Sequence, residues 1–149
     1  MPSRQNDSPP AAPFPIIGIG ASAGGLEALE IFFDHLPPDS GMAVVVITHT
    51  DPTRGSLLPG IIDRKTKMAV QVVETGVTVR PDTIYLPPSH SDLTLRKDRF
   101  HLTDRRESGE RHMPVDLFFK SLAEAQGERA AGVIFSGTGS DGTHGVLAI

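Results

Sequence analysis

The sequence predicts an α/β domain built on a doubly wound, mainly parallel sheet, with helices on both faces and a small β-hairpin. Three observations carry that prediction. Short apolar runs alternate along the chain with amphipathic stretches, the pattern of strand–helix–strand units. The runs at 42–48 and 131–135 are apolar almost throughout, as expected of strands covered on both faces. Two of the runs lead directly into glycine-rich segments, at 18–25 and 137–142, where a strand would turn sharply.

The elements follow in order. Residues 1–15 hold five prolines among small and polar residues and read as a flexible leader. A structured domain is expected over 16–149. Residues 15–20 form a short buried strand ending in glycine. Residues 21–36 read as a helix, because Leu26, Leu29, Phe33 and Leu36 recur at spacings of three and four with Glu27, Glu30 and Asp34 between them. Pro37 and Pro38 end it. A second strand covers 42–48. A short helix over 56–65 carries Pro59 near its first turn. Strands are expected at 69–74 and 83–86. Leu93, Leu95, Phe100 and Leu102 alternate about a polar turn at 96–99, the signature of a hairpin. An amphipathic helix over 115–126 is stopped by Gly127. A buried strand at 131–135 precedes a glycine-rich loop, and a further helix starts near Thr143. The sequence stops at Ile149 within an apolar stretch, so we expect the domain to be incomplete at that end.

Composition limits the chemistry. With 149 residues the chain can bury one core. Hydrophobic residues make up 38% and charged residues 21%, which suits a soluble globular protein, and no apolar run is long enough for a membrane helix. No signal-peptide pattern opens the chain, so a cytoplasmic location is expected. There is no cysteine, which removes disulfides, thiol nucleophiles and thiolate-bound metals. The formal net charge of −4 argues against nucleic acid as a partner. The cations Arg96, Lys97, Arg99, Arg105, Arg106 and Arg111 are interspersed with acids and read as a solvated hairpin face.

Three segments carry chemistry. Gly20-Ala21-Ser22-Ala23-Gly24 is a G-x-S-x-G pattern between a strand and a helix, where flanking glycines lift a serine hydroxyl above the sheet edge. The amides at the helix start would favour a developing oxyanion. Two other readings compete. Ser22 is also a good helix N-cap. Residues 18–23 also fit a dinucleotide fingerprint of the G-x-G-x-x-A type. His49 directly follows the second strand, and ligands of open α/β sheets sit outside the carboxyl ends of strands. Asp51 lies past the strand end, before Pro52. Asp141 stands among glycines after the strand at 131–135, where a carboxylate could orient an imidazole or simply cap a turn. Asp141 and His144 share a ligand-like spacing, but no ligand set completes a metal site. His35 suits a helix's last turn, and His90, His101, His112 and His144 receive no role.

Taken together, Ile-Gly-Ile-Gly-Ala-Ser-Ala-Gly-Gly (17–25), Val-Ile-Thr-His (46–49) and Gly-Thr-Gly-Ser-Asp-Gly (137–142) resemble the active-site motifs of the chemotaxis methylesterases, the CheB catalytic domains. The order serine, histidine, aspartate is that family's, whereas ordinary α/β-hydrolases run serine, aspartate, histidine. Residues 80–90 and 111–116 also look familial. The resemblance implies a catalytic triad of Ser22, His49 and Asp141, with Ala23, Gly24 and Thr138 around the oxyanion. It implies hydrolysis of glutamyl γ-methyl esters on methyl-accepting chemotaxis receptors, extending to glutamine deamidation, with no cofactor and no membrane insertion. Thr48 replaces the family's usual glutamine and Thr138 its usual methionine. Both changes resemble the forms fused to a CheR-type methyltransferase. Two alternatives remain at this point: a catalytically silent docking module of a fused signalling protein, and a dinucleotide-binding domain.

Overall fold

In the computed structural model, residues 12–21, 25–48, 57–104, 113–135 and 149 are described. Among them, five strands form one parallel sheet. They are β1 (Ile16–Ala21), β2 (Ala43–Thr48), β3 (Ala69–Val72), β4 (Thr83–Leu86) and β7 (Ala130–Phe135), in the spatial order β3-β4-β2-β1-β7. β5 (Ser91–Arg96) and β6 (Arg99–Asp104) form an antiparallel hairpin. The helices are α1 (Leu26–His35), α2 (Leu58–Asp63) and α3 (Pro114–Gln126). The loop at 137–142 and the helix expected from Thr143 lie outside the described residues.

Side-chain alternation along the strands builds two cores. Val44 and Val46 of β2, with Ile84 and Leu86 of β4, point to the face covered by α1 and α2, against Leu29, Phe33, Leu58 and Ile62. Val45, Ile47 and Tyr85 point the other way, onto α3 and the hairpin, against Phe100, Phe118, Phe119 and Leu122. The continuous apolar run at 42–48 is thus explained by burial on both sides of the sheet. By contrast β3 is an edge strand with Ala69, Gln71 and Val72 exposed. In the hairpin, Leu93, Leu95 and Phe100 are buried and Leu102 partly so, as their alternation predicts. Its two-residue turn places Lys97 at φ 56, in the left-handed region. Arg96, Lys97 and Arg99 are exposed around that turn. Arg105, Arg106 and Arg111 lie outside the described residues.

Several boundaries differ from the sequence reading: β3 ends at Val72 and not at residue 74, α2 spans Leu58–Asp63 within the expected 56–65, and two further differences lie at Ala12 and at the start of α1. First, Ala12, within the expected leader, is packed against the domain. Ala12 is only 2% exposed. The Gln126 side-chain amide donates to the carbonyls of Ala12 and Phe14 at 3.2 and 3.1 Å. Second, α1 starts at Leu26 with Gly25 as its N-cap, five residues later than expected, because the strand continues through Ala21. Ser22 is therefore not this helix's N-cap residue. The stop at Gly127 is as read: its φ is 55, a conformation easy for glycine, and its amide reaches the carbonyl of Ala123.

Candidate active site

Ser22, His49 and Asp141 lie outside the described residues, as do Ala23, Gly24, Thr138, His112 and His144. The strands that lead into them are well described. β1 pairs in parallel with β2 on one side and with β7 on the other. Ala21 is level with Thr48 of β2 and with Phe135 of β7. The next residues along the chain are Ser22, His49 and Ser136. All three motif segments therefore leave the sheet at one edge, from three neighbouring strands that end in register. Adjacent strands are about 4.8 Å apart, so the three departure points fall within about 10 Å.

The topology makes this edge the candidate ligand site. From β1 the chain moves to β2 through α1, on one face. β7 lies on the other side of β1 and is reached from α3, on the opposite face. The strand order thus reverses at β1 and β7, and the crevice outside their carboxyl ends is where open α/β sheets bind ligands.

Glycines shape this crevice. An added Cβ at Gly18 would sit 2.8 Å from Phe119, and one at Gly20 would sit 2.5 Å from Val115. Gly18 pairs with Gly132 of β7, whose Cβ would also crowd Phe119. These glycines let α3 lie directly on β1 and β7, which brings its first turn to the carboxyl edge of the sheet. The dinucleotide reading fails on this point. Its glycines belong in a turn, open to a pyrophosphate. Gly18 and Gly20 lie within β1, and α3 covers them.

The polar groups near this edge were not all legible beforehand. Asp116, in the first turn of α3, is buried, as is Asp92 near the start of β5. A carboxylate there complements the helix dipole, and its only signal in the sequence is its place just after Pro114. Thr48, Ser89, Asp92 and Asp116 are each engaged in polar interactions. His90, on the loop after β4, is exposed and has φ 67. His101 is partly exposed on β6. His35, in the last turn of α1, hydrogen-bonds the carbonyl of Ile31 at 2.8 Å. Among the described residues, no three histidine or carboxylate side chains converge as metal ligands.

Comparison with known proteins decides the family. The sequence profile of the CheB methylesterases matches residues 17–149. The chain belongs to the CheB methylesterase family. Among CheB relatives, the protein-glutamate methylesterase/protein-glutamine glutaminase 1 of Xanthomonas campestris pv. campestris is 36% identical over 136 residues. The corresponding protein of Thiobacillus denitrificans is 38% identical over 136 residues. Each match covers 89% of this chain and 38% of the relative, so the chain spans well under half the length of these proteins. The CheB methylesterase catalytic domain of Thermotoga maritima superposes with a TM-score of 0.79 at 27% identity, over 92% of this chain and 75% of that one. The doubly wound α/β fold expected from the sequence is thus the CheB fold. No described helix is long and apolar enough to cross a membrane.

Proposed function

We propose that this chain carries the catalytic edge of a protein-glutamate methylesterase that acts on chemotaxis receptors in the cytoplasm. The observation that carries the proposal is the register of β1, β2 and β7, which start the Ser22, His49 and Asp141 segments side by side at the switch point of the sheet. The relatives' names supply the substrate class, glutamyl methyl esters, and a second activity on glutamine amides.

The chemistry follows from the residue types. His49 takes the proton of the Ser22 hydroxyl, and the oxygen attacks the ester carbonyl. Backbone amides at Ala23 and Gly24, with the loop around Thr138, receive the negative charge of the tetrahedral intermediate. His49 then protonates the departing methoxide, and methanol leaves. Water, deprotonated by the same imidazole, releases the glutamate. Asp141 fixes the imidazole tautomer and balances its positive charge. With a glutamine substrate the same steps release ammonia. No cofactor enters. The substrate ester has to be made by a methyl-transferring enzyme, so a methyltransferase, fused or separate, is the natural partner. Thr48 and Thr138 support the fused form.

The test is methanol release from receptors carrying labelled glutamyl methyl esters. Wild-type protein should release the label. Ser22→Ala should release none while keeping its circular dichroism and melting temperature. A fluorophosphonate probe should modify Ser22 alone. Release that survives Ser22→Ala, or modification at another residue, would overturn the assignment.

A further inference from the structure

We infer that Gly25 is a positioning residue for this site: its missing side chain sets the distance between the serine-bearing and aspartate-bearing segments. The inference rests on the triad reading above. It comes from a contact made wholly by described residues. Gly25 is buried and is the N-cap of α1. A Cβ built on it would lie 2.8 Å from the backbone carbonyl oxygen of Phe135 and 3.2 Å from the Cβ of Ala21. Phe135 is the last residue of β7, one before the 136–142 loop, and Ala21 is the last residue of β1, one before Ser22. Gly25 therefore seats the start of α1 directly against the paired ends of the two strands that bound the switch-point crevice.

Neither obstacle can swing aside. Phe135 presents a main-chain oxygen, and β7 is fixed to β1 along its whole length. Phe32 of α1 also packs on the Phe135 ring, with centroids 5.8 Å apart, so the helix is tied to the end of β7 a second time. Ordinary contact begins near 3.4 Å, so a methyl group at this position must open the gap by roughly 0.6 Å. The φ of Gly25 is −90°, which alanine adopts freely, so the cost of substitution is spatial, not conformational. The start of α1 and the end of β7 would separate, and with them the segments bearing Ser22 and Asp141. A misplacement of about 1 Å among catalytic groups can cost about 100-fold in rate, so an opening of this size should be felt in the rate.

The experiment compares the time course of Ser22 modification by a fluorophosphonate in wild type, Gly25→Ala, Gly60→Ala and Ser22→Ala, with the acid limb of each pH profile. Gly60 lies in α2 with nothing within 4 Å of an added Cβ, so Gly60→Ala should match wild type. Gly25→Ala should react to full stoichiometry but about 10- to 100-fold more slowly. Its acid limb should move to lower pH, because an imidazole further from Asp141 holds its proton less tightly. If Gly25→Ala fails to fold, Ala21→Gly/Gly25→Ala removes one of the two obstructions and should fold while remaining slow. Wild-type rate and limb in Gly25→Ala, or in the double variant, would overturn the inference. So would a reduced amplitude at wild-type rate, which marks only a lost fraction of folded protein. If wild type is not modified at Ser22 at all, the triad reading fails and this inference with it. A normal wild type beside an unaffected Gly25→Ala removes the inference alone.

Discussion

The two edges of the parallel sheet are built differently. At the amino edge, connections are fastened by polar side chains to the backbone. The Asp82 carboxylate accepts from the amide of Gly41 at 2.7 Å. The Tyr85 hydroxyl accepts from the amide of Arg80 at 2.8 Å. Gln126 binds the carbonyls of Ala12 and Phe14. At the carboxyl edge, closeness comes from absent side chains: Gly20 under Val115, and Gly25 against the end of β7. The first edge uses hydrogen bonds to hold its loops. The second uses glycine to bring backbone segments nearer than any side chain would permit. Substitutions at the amino edge should therefore move stability alone, and those at the carboxyl edge should move rate as well as stability.

The sharpest way to break this contrast is Asp141→Asn. On the proposed triad it takes away the charge that favours the protonated imidazole and allows the wrong tautomer. Turnover should fall by about 10⁴, as in the serine-protease triad. On the proposed triad a neutral imidazole is the working base, and a carboxylate beside it favours the protonated form. Wild-type activity should thus decline on the acid side as the imidazole takes a proton, and in Asp141→Asn that limb should shift to lower pH. Steady-state rates across pH check both points. Near-native turnover with an unmoved limb would make Asp141 a loop cap, with Asp51 the next candidate to orient His49.

A smaller effect is expected at Gly20. Gly20→Ala inserts a methyl group 2.5 Å from Val115, and such overpacking typically costs about 1–3 kcal/mol. Val115→Ala in the same molecule should restore part of that loss. A double-mutant cycle in urea measures the coupling, and strictly additive effects would show that α3 does not rest on Gly20. The smallest effect belongs to the amino edge. Gln126→Leu should cost about 1 kcal/mol, the usual net worth of a hydrogen bond, and leave turnover unchanged. A change in turnover without a change in stability would dissolve the distinction between the edges.

Local pattern was enough for most elements. The bounds of β4 agree with the apolar run at 83–86, and the α3 boundary agrees because Gly127 is a strong stop. Local pattern alone starts α1 too early, because Ala21 and Ser22 suit a helix start as well as a strand end. Pairing with Thr48 and Phe135 keeps Ala21 in the sheet. The docking of Ala12 was illegible, since the proline-rich composition of the leader says nothing about the distant Gln126 that holds it.

By itself, the sequence determined the two-sided burial of β2, the hairpin at Leu93–Leu102, and three chemical motifs in the order serine, histidine, aspartate. These depend on periodicity and residue type, which act over a few positions. Only the tertiary structure decided that β1 stands between β2 and β7, because strand neighbours are chosen by packing between segments far apart in the chain. It alone separated the meanings of the glycines. Gly18 and Gly20, which fit a phosphate-binding fingerprint on paper, are seats for Phe119 and Val115, and Gly25 sits against the end of β7. A missing side chain acquires its role from what approaches the space it leaves, and that neighbour is set by the fold.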